Sequence, residues 1–327
     1  HEHYIETAGN ALREMIVRDR NHPSVLAWGL GDEFETWSEG ARAFVEPMVK
    51  LARGLDSRPL YYASSNVNDA CSDLTDITAI TLTTRDIKEF KKELSDARSN
   101  AAKPLMIVKM GGEVQPDNNN GYADPLSLQA QARYFLQHFD VVRASDIDGA
   151  FLWAFNDWRG DRPALTVNTG NPWMHTLGLV SHAREKRYAF DAVRAAFSGD
   201  RFSAIPPGSN PSSSPIVYVL SGLVLLIGTA YLYNANRRFR DGLTRSVANA
   251  YNFFSDVRDQ RIVTIPHSTL VGLIASAAMA IVVSSVFYHF RTSILLDNVL
   301  TYVLVTDDLK ETIITLIRSP QLFVLVF

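Results

Sequence analysis

The amino-acid sequence predicts an α/β domain followed by an α-helical membrane region. Three observations carry this expectation. Short apolar runs of strand length alternate with amphipathic helical stretches through the first two hundred residues. Two later runs, 214–233 and 269–290, contain no Asp, Glu, Lys or Arg, and each matches the roughly 20 apolar residues that cross a bilayer core. Between the two regions, "AIPPGSNPSSSP" (204–215) is a Pro/Ser/Gly stretch that cannot continue a helix and has nothing to bury.

The elements follow in order. "SVLAWGLG" (24–31), "RPLYYAS" (58–64), "DITAITL" (76–82), "KPLMIVKMG" (103–111) and "DGAFLWAF" (148–155) are bounded by Pro, Gly, Asp or Ser and read as strands. Their hydrophobicity is continuous rather than alternating, so both faces are covered, as in a parallel sheet. Amphipathic stretches at 39–56, 84–100 and 127–145 read as the helices between them, while 65–76 is too short and polar for a good helix. Two architectures satisfy this pattern, a doubly wound sheet and a (β/α)8 barrel.

The second region divides into a linker (201–215), a span (216–233), a basic loop (234–268), a second span (269–290) and an amphipathic segment (291–327) that closes on an apolar run, the start of a third span. The basic loop carries Arg237, Arg238, Arg240, Arg245, Arg258 and Arg261, which marks it as cytoplasmic. The chain is therefore expected in a cytoplasmic membrane, with the lipid bilayer as one partner and the α/β domain on the outer face. Asp307 and Asp308 are read as caps of the helix "LKETIITLI". The chain opens on His1 without Met and closes inside an apolar run, so a longer protein is expected.

Composition excludes several functions. With 35 acidic against 32 basic residues and a formal net charge of -3, no nucleic-acid partner is expected. The single cysteine, Cys71, forms no intramolecular disulfide and no Cys-based zinc site. The eight histidines show no ligand spacing, so no metal is expected. No glycine-rich phosphate loop follows a strand, and no cofactor is expected. Oligomeric state is left open.

Polar and aromatic residues gather instead at strand C-terminal ends: Asp32, Glu33 and Trp37; Ser64, Ser65 and Asn66; Trp153, Asn156, Asp157 and Trp158. In a barrel that end builds the site. Rings beside carboxylates suit an oligosaccharide or glycoside, since rings cover the apolar face of a pyranose while carboxylates serve its hydroxyls and glycosidic oxygen.

These residues resemble a known family. "MIVRDRNHPSVLAWGLGDEF" (15–34) is similar to the RDRNHPSVIxWSxGNE stretch of family 2 glycoside hydrolases, which include β-galactosidases, β-glucuronidases and β-mannosidases. "LDSRPLYYAS", "KPLMIVKMGG" and "DGAFLWAFNDW" follow in the order of that family's fifth, seventh and eighth barrel strands, and "LGLVSHAREKRYAFDAVRAAF" resembles its closing segment. The resemblance implies a partial (β/α)8 barrel, strands four to eight, over residues 1–200.

It also implies retaining hydrolysis of β-linked glycosides, in which one carboxyl protonates the leaving oxygen and a second, about 5 Å away, attacks the anomeric carbon. The acid/base falls on Glu33, and Asp32, Trp37, Asn66, Trp153, Asp157 and Trp158 become candidate sugar-binding residues, Trp153 equally a core residue by position. The nucleophile's place falls on Lys109, where an ammonium cannot attack. Asp32 stands where the family has Asn, and Thr81-Leu82-Thr83 where it has Asn-x-Tyr. Glu113, four residues beyond Lys109 on a loop opened by two glycines, is the candidate substitute carboxylate. Converging strand ends predict a Glu33–Lys109 ion pair. Hydrolysis is thus expected to be impaired, the alternative being a catalytically inactive glycan-binding or scaffold protein on the membrane.

Overall fold

The computed structural model describes residues 2–33, 36, 39–64, 69–210, 216–259, 265–304 and 306–319. They fall into two compact units, one of residues 1–159 and 175–210, the other of residues 160–174 and 211–327.

The first unit opens with α1 (Glu2–Asp19), β1 (Trp28–Gly29) and α2 (Glu39–Arg53). Next come β2 (Leu60–Tyr61), β3 (Ala63–Ser64), a 3-10 turn (Ser72–Leu74) and β4 (Thr78–Thr81). α3 (Ile87–Asn100), β5 (Leu105–Met110), α4 (Leu128–Ala144) and β6 (Gly149–Leu152) follow. The short strand β7 (Trp158–Arg159), the second residue of β8 (Met174–His175) and α5 (Tyr188–Ser198) complete it.

Helix starts are set locally. Asp86 accepts from the amides of Lys88 and Glu89 at the start of α3, and Ser127 accepts from Ala130 at the start of α4. α5 stops at Gly199, whose φ of 74° is the left-handed conformation that glycine adopts freely. α2 carries Pro47 in its interior, which costs a backbone hydrogen bond, and the burial of Val45, Met48 and Ala52 along one face offsets that loss.

Strand order decides between the two architectures. β1 pairs parallel with β2; one residue later the same extended segment, as β3, pairs parallel with β4, then β4 with β5 and β5 with β6. Each strand lies beside its predecessor in the chain, whereas a doubly wound sheet reverses direction at a switch point. The winding is that of a barrel, built from five successive strand segments.

Each strand buries one face under the helices. Ile80, Leu105, Ile107 and Met110 pack with Phe90, Leu94, Phe135, Phe139 and Val193 from α3, α4 and α5. A second cluster joins Leu12 and Ile16 of α1 and Val45 and Met48 of α2 to Trp28, Leu60 and Tyr62. Along β6 and beyond, Ala150 and Leu152 face that core, and the alternating Phe151, Trp153 and Phe155 are exposed on the other side. That second face is the one a closed barrel turns inward.

The second unit holds α6 (Ile216–Ala235), α7 (Arg237–Ala248), α8 (Ala250–Arg258), α9 (Ile265–His289), α10 (Ile294–Val303) and α11 (Asp307–Arg318). α6 and α9 are long and apolar enough to cross a membrane, and only 6% and 17% of their most apolar stretches are buried within the protein. They run antiparallel. Tyr218 Oη donates to the Ser284 carbonyl at 3.1 Å near one end, and Asn236 and His267 meet at 2.9 Å at the other.

Three expectations change here. The basic loop folds as two helices, α7 and α8. Asn236 caps α7, accepting from Arg238 and Phe239. Asp307 and Asp308 lie in the first turn of α11 rather than at its cap, a position held by Thr306, where their charge favours the helix dipole. Residues 160–174 join the C-terminal helices instead of the α/β unit. Arg261 and the apolar run 320–327 lie outside the described residues.

Phe135 is fully buried between the sheet and α4's neighbours. Phe135→Ala is expected to cost about 3–5 kcal/mol, read as a lowered thermal midpoint of the purified chain. A change below about 1 kcal/mol would show that the core is not closed around it.

Candidate active site

The site is assembled at the C-terminal ends of the parallel strands. Asp32 and Glu33 follow β1, Lys109 is the penultimate residue of β5, and Trp153 follows β6. Parallel pairing brings these ends to one edge although the residues are far apart in sequence. A register shift in the β4–β5 pair sets Lys109 opposite Thr81, whose buried hydroxyl has no hydrogen-bond partner.

Lys109 is the hub. Its ammonium donates to Asp32 Oδ2 and, at 3.2 Å, to Glu33 Oε1, and it lies 4.8 Å from the centre of the Trp153 ring. The lysine side chain is 13% exposed, whereas those of Asp32 and Glu33 are about half exposed. Burial by itself would lower the lysine pKa; the hydrogen bond to Asp32 and the charge of Glu33 outweigh it, so the ammonium is held above its ordinary range. Glu33 sits at φ 53°, a left-handed conformation uncommon for a residue with a side chain, and the strain is tolerated where its carboxylate meets Lys109.

An aromatic row extends from the lysine. Trp153 meets Trp158 edge to face at 5.2 Å, and Trp158 stacks on His175 at 5.5 Å with an interplanar angle of 12°. His175 Nδ1 lies 3.1 Å from Glu113 Oε1, and both side chains are 13% exposed. The Glu113 carbonyl accepts from the Arg85 guanidinium, whose pKa burial lowers. Gly111 makes the junction: a Cβ there would lie 1.9 Å from the Trp153 carbonyl oxygen, so only glycine lets the two strand ends approach.

The predicted residues therefore separate. Glu33, Asp32, Lys109, Trp153 and Trp158 come together, with Trp153 part-exposed beside the charged cluster. Glu113 is engaged by His175 rather than by the Lys109 cluster. Asp157 lies away from an open cleft: its carboxylate is 2% exposed, accepts two hydrogen bonds from Arg187 at 2.8 and 2.6 Å, and receives the Gly178 amide at 2.9 Å. A Cβ on Gly178 would lie 2.5 Å from the Asp157 amide, so this pair locks a tight backbone crossing. Trp37 and Asn66 lie outside the described residues. His175 and Arg187 escaped sequence reasoning because neither sits in a spacing that announces a role. Among the described residues no group of three or more His, Cys, Asp or Glu is arranged for a metal.

Because the Lys109 pKa is raised, the cluster's contribution to stability is complete below the ordinary lysine value of about 10.4 and is lost as pH rises through the higher folded value. In an NMR titration of the protein with isotope-labelled dimethylated lysines, Lys109 is expected to titrate above the ordinary lysine range, and Lys109→Ala identifies its signal. Titration within or below that range would mean that the ammonium does not hold the two carboxylates.

Comparison with known proteins bears on the fold and the family. The model of the glycosyl hydrolases family 2 TIM barrel domain matches residues 1–199. A β-glucuronidase of Streptococcus agalactiae is 24% identical over 222 residues, covering 62% of this chain and 35% of the relative, and one of Paenibacillus borealis is 23% identical over 203 residues, covering 57% and 33%. The chain thus spans about a third of the length of the curated relatives it matches. In fold it is similar to a β-galacturonidase of Eisenbergiella tayi bound to galacturonate, with a TM-score of 0.54 and 21% identity over 60% of this chain and 37% of that one. A β-glucuronidase of Faecalibacterium prausnitzii gives 0.54 and 22% over 63% and 36%. With the family model covering residues 1–199 of 327, the chain belongs to glycosyl hydrolase family 2 through its TIM-barrel domain.

Proposed function

We propose that this chain is a membrane-anchored family 2 glycoside hydrolase-like protein that receives a β-linked glycoside at its strand ends and hydrolyses it poorly. The observation that carries the reading is the Lys109 ammonium bound to both Asp32 and Glu33. A retaining hydrolase needs two carboxyls there, one of them a nucleophile. A protonated amine has no free electron pair for the anomeric carbon, and its charge opposes the oxocarbenium-like transition state. It also occupies the Glu33 oxygen from which a leaving group would take its proton. What supports sugar binding is the row Trp153, Trp158 and His175, whose faces suit a pyranose. The relatives are β-glucuronidases and a β-galacturonidase, so glycosides of uronic acids are the first substrates to test. Residual turnover of zero is the limit in which the domain binds glycans only.

Membrane anchoring is supported by α6 and α9, whose apolar surfaces are largely uncovered by protein. The arginines of α7 and α8 favour the cytoplasmic side for the segment between them and the outer side for the hydrolase-like domain.

The full-length protein is expected to turn over aryl β-glycosides at least about a thousandfold below ordinary hydrolase rates. Lys109→Glu is expected to raise that rate, with the gain lost in the Lys109→Glu, Glu33→Gln double variant. Ordinary turnover that survives Lys109→Ala and disappears in Glu113→Gln would overturn the reading and make Glu113 the nucleophile. For the anchor, Leu226→Arg places a charge at the middle of α6 and costs about 2.5–3.5 kcal/mol of insertion; loss of the protein from the carbonate-washed membrane fraction is expected. Wild-type protein found entirely in the carbonate supernatant would refute anchoring.

A further inference from the structure

We infer that α10 and α11 return to the same side of the membrane as residues 160–174 and clasp them, so that the chain crosses as a closed two-helix hairpin. The inference rests on the spanning reading of α6 and α9 given above and adds the place of α10 and α11 and the contacts that hold them there.

Contacts within the second unit carry it. Residues 160–174 precede both apolar helices in the chain, and α10 and α11 follow both. Yet the two segments share one core, in which Ala164 is fully buried among Leu296, Leu300, Ile314 and Ile317. Arg318 donates to the carbonyls of Asn168, Pro163, Ala164 and Thr166 at 3.1, 2.9, 3.3 and 2.5 Å. The Trp173 indole donates to Glu311 at 2.7 Å. Lys310 donates to Thr301 at 2.8 Å and to the Asp161 carbonyl at 3.4 Å, and pairs at 3.7 Å with Asp297, both side chains nearly enclosed.

Hydrogen bonds of this length cannot reach through a hydrocarbon layer of about 30 Å. The number of crossings between residues 174 and 294 must therefore be even. A single span, by α6 or by α9 alone, is incompatible with the contacts. The antiparallel pairing of α6 and α9 meets the same requirement, since Tyr218 and Ser284 mark one end and Asn236 and His267 the other. α7 and α8 then lie at the far end of the hairpin. The buried Lys310–Asp297 pair belongs in an aqueous-side fold, where a core of small helices encloses it, rather than in lipid.

Cysteine accessibility tests the placement. In a Cys71→Ser background, which removes the chain's single cysteine, reporters are placed at exposed positions as Lys92→Cys, Thr244→Cys and Asp308→Cys, with Tyr302→Cys as a second reporter should Asp308→Cys fold poorly. Spheroplasts are treated with a membrane-impermeant maleimide before and after permeabilisation. Lys92→Cys and Asp308→Cys are expected to label together in intact spheroplasts, and Thr244→Cys only after permeabilisation. The mirror pattern, with Thr244→Cys alone labelled in intact spheroplasts, keeps the inference and overturns the orientation proposed above. Asp308→Cys or Tyr302→Cys labelling with Thr244→Cys and against Lys92→Cys overturns the inference itself. Labelling of all reporters alike, with the protein in the carbonate supernatant, removes the spans and the inference together. The clasp has its own readout. Arg318→Ala is expected to raise chymotryptic cleavage at Trp173 several-fold in spheroplasts, and unchanged protection would show that residues 160–174 are not held by α11.

Discussion

The structure of the hydrolase-like unit depends on parallel pairing between strands that are successive in the chain. A parallel pair needs a crossover, which is an α-helix between β1 and β2, β4 and β5, and β5 and β6, and such a helix must bury an apolar face against the sheet it has just left. Phe90, Leu94, Phe135 and Phe139 do this over Ile80, Leu105 and Ile107. Strands β1 to β6 then point the same way, and side chains at their ends converge without being close in sequence. The meeting of Lys109 with Asp32 and Glu33 is a consequence of that geometry.

Charge balance shapes what converges. A half-buried ammonium needs compensation, and Lys109 finds two carboxylates, with a tryptophan face alongside. The same requirement acts on Asp157, four residues past Trp153. Its carboxylate is buried, so it is matched by Arg187 and the Gly178 amide and serves the scaffold. Acids at two strand ends thus have different fates, Asp32 and Glu33 after β1 in an open environment and Asp157 after β6 in a closed one. Removing one partner of the closed pair leaves an uncompensated buried charge, a loss of about 3–5 kcal/mol, which ties the loop after β6 to the start of α5 at Tyr188.

In the second unit the governing constraint is different. The backbone polar groups of α6 and α9 are satisfied within each helix, so these helices need no polar partner and expose apolar side chains. α10 and α11 are amphipathic and short, and neither buries its apolar face alone. Residues 160–174 supply the missing surface, with Ala164 filling the gap and Arg318 satisfying the carbonyls of a segment that has little regular structure of its own.

By itself the sequence determined the alternation of strand and helix, the two uncharged runs, the strand-end positions of Glu33 and Lys109, and the family resemblance. Each of these is local, written in composition, periodicity or a contiguous motif. Tertiary structure decided the rest: winding as a barrel, because register across strands belongs to no single segment; the separation of Asp157 from Trp153, because burial is a property of neighbours. It also decided the roles of His175 and Arg187, whose partners lie 62 and 30 residues away, and the union of residues 160–174 with α10 and α11. Contacts over such separations leave no periodic or spaced signal in one sequence, since the chain between them is free to vary in length and composition without moving the partners apart.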